Sequence, residues 1–166
     1  MNNTNSQNAV HALLQEYEKA IAELQNTIRD IPNPDLQFPI DPHTQNPDCT
    51  SIQMILAHVV SSGYSYASYV RALQNKNTQR PEKTNRESAS EYVADLNQVI
   101  QFTRDTFAGI RDAELEEFDS GKKIHTNWGQ LYDIEQMMEH AIVHILRHRR
   151  QIERFKVILQ FEKTTP

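Results

Sequence analysis

The stretch "DIEQMMEHAIVHILRHRRQIERFKVILQFE", residues 133–162, decides the fold. It runs without Pro or Gly, opens on an Asp that can cap a helix, and carries Gln136 three residues on. Set in heptads, Ile134, Ala141, His148 and Phe155 share one core slot, and Met137, His144, Gln151 and Ile158 share its partner. The reading is one long amphipathic helix, over about 134–162, with two histidines where aliphatic side chains would pack.

Three further segments step by threes and fours. The first, 8–31, carries Val10, Leu13, Leu14, Tyr17, Ile21, Leu24, Ile28 and Ile31, and Pro32 and Pro34 end it. The second, 50–75, opens with Thr50 and Gln53 at capping-box spacing; its stripe is Ile52, Ile55, Leu56, Val59, Tyr66, Val70 and Leu73. The third, 88–109, has the pair Ser88 and Glu91, then Leu96, Val99, Ile100, Thr103, Phe107 and Ile110, with Gly109 near its end. No alternation of period two lasts long enough to predict a strand, and "GYSYASYV" at 63–70 continues the second helix. Four helices, each with one apolar face, predict an all-α protein: a four-helix bundle forming a single domain over 1–166. The proline-rich "DIPNPDLQFPIDPHTQNPDC", 30–49, cannot run as an unbroken helix and becomes a long irregular connection between helices one and two, with room for a crossover. The polar run at 2–8 is expected to fray.

A net charge of −5 with scattered Lys and Arg gives no broad basic footprint, so nucleic acid is not an expected partner. With one cysteine, Cys49, no intramolecular disulfide forms, which fits a reducing compartment. "MNNTNSQNAV" has neither the basic nor the apolar region of a secretory signal, and no apolar run has the length of a membrane span. The expectation is a soluble cytoplasmic protein with no membrane partner.

His140, His144 and His148 stand four apart, and residues so spaced lie one above the other, about 6 Å along a helix axis. A single core histidine is ordinarily hydrogen-bonded. Two bare imidazoles in core slots would each cost about 1–3 kcal/mol, a cost that coordination to a cation removes. His58, flanking the Ile55/Val59 stripe, is the third donor from another helix. His140 pairs with His144 at the same spacing, so either four-residue pair can supply the ligands; the heptad register puts His140 beside the core. His11, His43 and His125, near a terminus or in loops, carry little signal. Three neutral imidazoles leave the charge of a divalent ion undiminished and a coordination position open, as in catalytic rather than structural sites. Zn²⁺ and Ni²⁺ suit such donors, and Fe²⁺ is compatible. No carboxylate is placed as a catalytic base: Glu139 and Glu153 fall outside the core slots. Of Arg147, Arg149 and Arg150, one is expected at the site mouth and most of the run on a solvated face, with a grip on an anionic co-substrate as the alternative. Trp128, Tyr64, Tyr66 and Tyr69 read as core or interface aromatics, with pocket lining as the alternative; Met137 and Met138 read as packing.

"HILRHRRQI" at 144–152, the mid-helix histidine of "ILAHVV" at 55–60 and the entry "WGQLYDIEQMMEHA" at 128–141 together resemble the DinB-like superfamily, which includes bacillithiol- and mycothiol-dependent transferases. The likeness follows helix order through most of the chain and is specific at the second and last helices, above all in His148 with Arg-x-Gln following. It implies a divalent metal held by His58, His144 and His148, often within a homodimer. Many members carry Gly where this chain has Arg150. The resemblance implies a thiol-dependent S-transferase of bacillithiol type, in detoxification or stress response, acting on a small-molecule substrate with a low-molecular-weight thiol. The alternatives are a metal-dependent hydrolase and a non-catalytic dimeric bundle with a structural metal.

Overall fold

The computed structural model describes residues 8–164. The polar run at 2–8 lies outside them save for Asn8, whose side chain caps the first helix by accepting from the His11 amide at 2.9 Å. Four long helices follow the expected order: α1, Ala9–Ile28; α3, Ile52–Leu73; α4, Ala89–Phe107; and α5, Ile134–Thr164. Between α1 and α3 the proline-rich connection contains α2, a single turn over Asn33–Gln37, and a 3₁₀ turn over Pro47–Cys49.

The chain is an all-α bundle. α1 packs against α4 and α5, and α3 packs against the same two, so α1 and α3 face each other across a diagonal. Sequential helices on a diagonal cannot be joined by a tight turn, and the long connection is the crossover that this arrangement requires. Fully buried Ile21, Leu24, Ile28, Ile52, Ile55, Leu56, Leu96, Met137 and Ile152 fill the centre. Gly63 marks a close approach there. A Cβ on it would sit 2.6 Å from Val99 Cγ1 and 3.2 Å from the Tyr17 hydroxyl.

Three expectations change. The cap of α3 is Ser51, accepting from the Met54 amide at 3.2 Å, while Gln53 reaches away to the Arg86 carbonyl at 2.8 Å. Thr50 is excluded because its hydroxyl is spent on the Pro47 carbonyl within the preceding 3₁₀ turn. A small antiparallel ladder also exists, β1 (Ile124–His125) against β2 (Leu131–Tyr132). Two residues per strand are too few for an alternation to register in sequence. The turn is closed by Thr126, bonded to the Gln130 backbone, with Gly129 at φ +88°.

The third change concerns the face of α5. Its buried stripe is Ile134, Ala141, His148 and Phe155 together with Met138, Ile145, Ile152 and Leu159. The slot of Met137, His144, Gln151 and Ile158 rotates towards the rim as the helix advances: Met137 is fully buried, His144 and Gln151 are half-buried, and Ile158 is 41% exposed. A straight helix of 3.6 residues per turn drifts against a 3.5-residue grid, and the drift accounts for this rotation. His148 is thus a core residue and His144 is not. Asp133 and Gln136 cap the helix reciprocally, each backbone amide donating to the other's side chain, at 2.8 and 3.1 Å. Among the described residues no helix is long and apolar enough to cross a membrane.

Candidate metal centre

α3 and α5 are neighbours, and their contact brings His58, His144 and His148 together. One ring nitrogen from each lies within 4.8 Å of the other two. The Nε2 atoms of His58 and His144 are 2.9 Å apart. Ring centroids are separated by 4.9 Å (58–144), 5.1 Å (58–148) and 4.5 Å (144–148). His140 stays outside this group. Its ring centroid is 6.4 Å from that of His144, its Nδ1 lies 3.4 Å from the Tyr132 hydroxyl, and Trp128 stacks on it at 5.3 Å.

The partners of the outer nitrogens fix two of the three tautomers. Asp48, carried by the 3₁₀ turn, sets Oδ2 3.1 Å from His58 Nδ1 and forms an ion pair with Lys83 from the α3–α4 connection. A carboxylate only accepts, so His58 keeps its hydrogen on Nδ1 and exposes a lone pair on Nε2. Gln151 Oε1 is 3.0 Å from His148 Nδ1 and, as an amide oxygen, imposes the same tautomer there. The thiol of Cys49, the residue after Asp48, donates to that same oxygen at 3.7 Å. One turn of the crossover therefore supports both outer rings, directly through Asp48 and through Gln151 by way of Cys49.

Electrostatics keep the rings neutral. Burial lowers the His58 pKa; Asp48 opposes that shift, and Lys83 and Arg147 reinforce it. Burial first, then the neighbouring imidazoles and Arg147, pushes His144 down to about 2. Burial, followed by His58 and Arg147 and opposed by the Gln151 hydrogen bond, brings His148 down to about 4. Burial alone would raise Asp48, yet Lys83 and His58 hold its carboxyl below the ordinary range. At neutral pH the three rings need no deprotonation before they can act as ligands.

The arrangement fits a divalent cation by its own hydrogen-bond accounting. With His58 Nε2 bare, His144 Nε2 either donates to it, leaving Nδ1 a buried acceptor, or sets lone pair against lone pair. Among the described residues His144 Nδ1 is buried without a partner, so neither tautomer satisfies both nitrogens. A shared cation turns the facing lone pairs from a repulsion into two bonds, and a neutral imidazole set suits Zn²⁺, Ni²⁺ or Fe²⁺.

The remaining candidates divide. Tyr66, Trp128 and His140 form an aromatic wall whose Tyr66 ring is 5.5 Å from His144, with Tyr69 and Tyr132 packed on Trp128 at 5.9 and 6.4 Å. Tyr64 belongs elsewhere, against Phe102 at 5.1 Å. Arg149 is not on a solvated face: it turns inward to pair with Glu23 of α1 and with Glu153 at 3.4 Å. Glu139 and Glu153 are exposed. Asp48, Lys83 and the supporting role of Gln151 were not foreseen. Gln151 had a signal, standing one heptad after His144; Asp48 and Lys83 lie in connections, where no periodicity points inward.

A family model described as the DinB superfamily matches residues 16–152, a span that includes all three histidines and most of the chain. No curated protein matches.

Proposed function

The chain belongs to the DinB superfamily of metal-binding helical proteins, and we propose that it is a thiol-dependent S-transferase whose single divalent cation is held by His58, His144 and His148. The observation that carries this reading is the three-histidine group, with the outer nitrogens of His58 and His148 tied down so that their lone pairs turn towards His144 between α3 and α5. When bound, the cation supplies Lewis acidity that lowers the pKa of a thiol and makes thiolate available at neutral pH. Asp48 and Gln151 hold two rings in the tautomer that can ligate, and the wall of Tyr66, His140 and Trp128 offers a flat apolar face to an electrophile. In the reaction a bond forms between thiol sulfur and an electrophilic carbon, the bond from that carbon to the leaving group breaks, and the leaving group departs with the electron pair. The thiol proton passes to solvent, because Asp48 is committed to His58 and Lys83 and, among the described residues, no other carboxylate pairs with the rings.

In this reading the metal is Zn²⁺ or Ni²⁺, with Fe²⁺ also compatible, and the partners are a small electrophile and a low-molecular-weight thiol. The protein works as a cytoplasmic homodimer in detoxification or stress response. Metal analysis of protein purified without a histidine tag tests the ligands: one metal per chain is expected, and its loss in His144→Ala. Turnover of monochlorobimane with a panel of thiols tests the chemistry, with the rate expected to vanish on chelation and return with metal. A wild-type protein that takes up no stoichiometric metal refutes the site. A metal-dependent hydrolysis that ignores thiol would instead make water the nucleophile and refute the transferase.

A further inference from the structure

Arg147, Arg150 and Arg154 lie three and four residues apart, so their side chains rise from one face of α5. All three are exposed, and none forms a hydrogen bond or ion pair among the described residues. They line an open groove with Gln151, Glu153 and Val157. The one carboxylate in that lining, Glu153, lies 3.4 Å from Arg149 Nε, within ion-pair range of another guanidinium. Like charges at this spacing repel on a bare helix. The chain has a net charge of −5 and 22 acidic residues, yet among the described residues none forms an ion pair with these three arginines.

The groove meets the histidine group at Gln151. Gln151, lying between Arg147 and Arg154 on the helix face, is the residue whose Oε1 meets His148 Nδ1. Arg147 itself sits between His144 and His148 in sequence, and its charge is felt by His58, His144 and His148 alike. A guanidinium ladder presents the planar donor forks that match oxyanions, and Val157 lines the far end of the groove.

We infer that Arg147, Arg150 and Arg154 form an anion subsite beside the three histidines, taking the carboxylate or phosphate groups of a small multiply charged co-substrate. Its use by the thiol rests on the transferase reading; the anion subsite itself does not. Association with a co-substrate that bears two such groups is then favoured at low ionic strength and weakened by salt.

The first arm of the test uses metal-free protein in chelator, so that it does not depend on the cation. The Nε–Hε NMR signals of the arginines are followed during titration with succinate and, separately, with inorganic phosphate. Saturable, salt-sensitive shifts confined to Arg147, Arg150 and Arg154 are expected with at least one probe, and the tighter probe identifies the oxyanion. Uniform, unsaturable shifts across all arginines overturn the inference. The second arm compares mercaptosuccinate with uncharged 2-mercaptoethanol on Co²⁺-loaded protein, read by the thiolate charge-transfer band. Mercaptosuccinate should bind about tenfold tighter or more, an advantage lost in Arg147→Gln/Arg150→Gln/Arg154→Gln while 2-mercaptoethanol binding is unchanged. If the protein takes up no Co²⁺, the metal reading fails and the first arm still decides the anion subsite. If the triple variant alters the sedimentation coefficient while neither anion shifts the arginines, the ladder is a subunit contact and the inference falls.

Discussion

Removing the Asp48 carboxylate should weaken metal binding without unfolding the protein, because Asp48 acts on the site through His58. The carboxylate lies 3.1 Å from His58 Nδ1, and both side chains are about a quarter exposed, at 27% and 26%. In Asp48→Ala the His58 Nδ1–H turns to water rather than to a dry pocket. The exposed ion pair with Lys83 is also lost, and such pairs are worth about 0–1 kcal/mol. The stability change should therefore stay near 1 kcal/mol or below. Metal affinity should respond more, since the partner that fixes a ligand's tautomer and basicity is typically worth about 10–100-fold. Asp48→Asn, whose amide oxygen can still accept, should fall near the low end and Asp48→Ala near the high end. The assay is chelator competition for Zn²⁺ or Co²⁺, with urea unfolding as the stability control and ¹⁵N NMR of metal-free protein to read the His58 tautomer. If both variants bind metal within about threefold of wild type and the His58 hydrogen remains on Nδ1, the support assigned to Asp48 is wrong.

Other outcomes follow from the same structure. Gly63→Ala should lower the melting temperature, since the overpacking cost of about 1–3 kcal/mol against Val99 Cγ1 exceeds the helix-propensity gain of about 1 kcal/mol; recovery in Gly63→Ala/Val99→Ala would confirm the contact, and an unchanged melt of the single variant would contradict it. In chelator, stability should fall as pH drops below 6.5, because the unfolded chain takes up protons that folded His144 and His148 refuse. Each contributes about 1.4 kcal/mol per pH unit, with the His148 share ending near its folded pKa of about 4 and the His144 share continuing to lower pH; urea melts at pH 7 and 5 giving equal stability would count against neutral buried rings. Saturating Zn²⁺ should raise the wild-type melting temperature and leave that of His144→Ala unchanged, by linkage of binding to the folded state; an equal rise in both would place the metal elsewhere.

The long helices were legible because each buries one face, and burial of one face writes a period of three to four into the chain. His58, His144 and His148 could be picked out because polar rings in or beside such a stripe contradict it. The exact face of α5 was less legible: a heptad grid and a straight helix disagree by a small angle per turn, which accumulates until Ile158, placed in the core by the grid, emerges at 41% exposure. Asp48 and Lys83 could not be read, since connections carry no repeat and their positions follow from the crossover. The strand pair escaped because its two residues per side leave no pattern.

The indole of Trp128 is the chain's single tryptophan and rests against His140, one ring away from His144. The emission of the whole protein therefore originates beside the candidate site, and occupancy there can be followed without any attached dye. A quenching ion such as Co²⁺ or Ni²⁺ arriving between α3 and α5 should dim that light stoichiometrically, whereas the same ion caught at a site far from Trp128 should leave it bright.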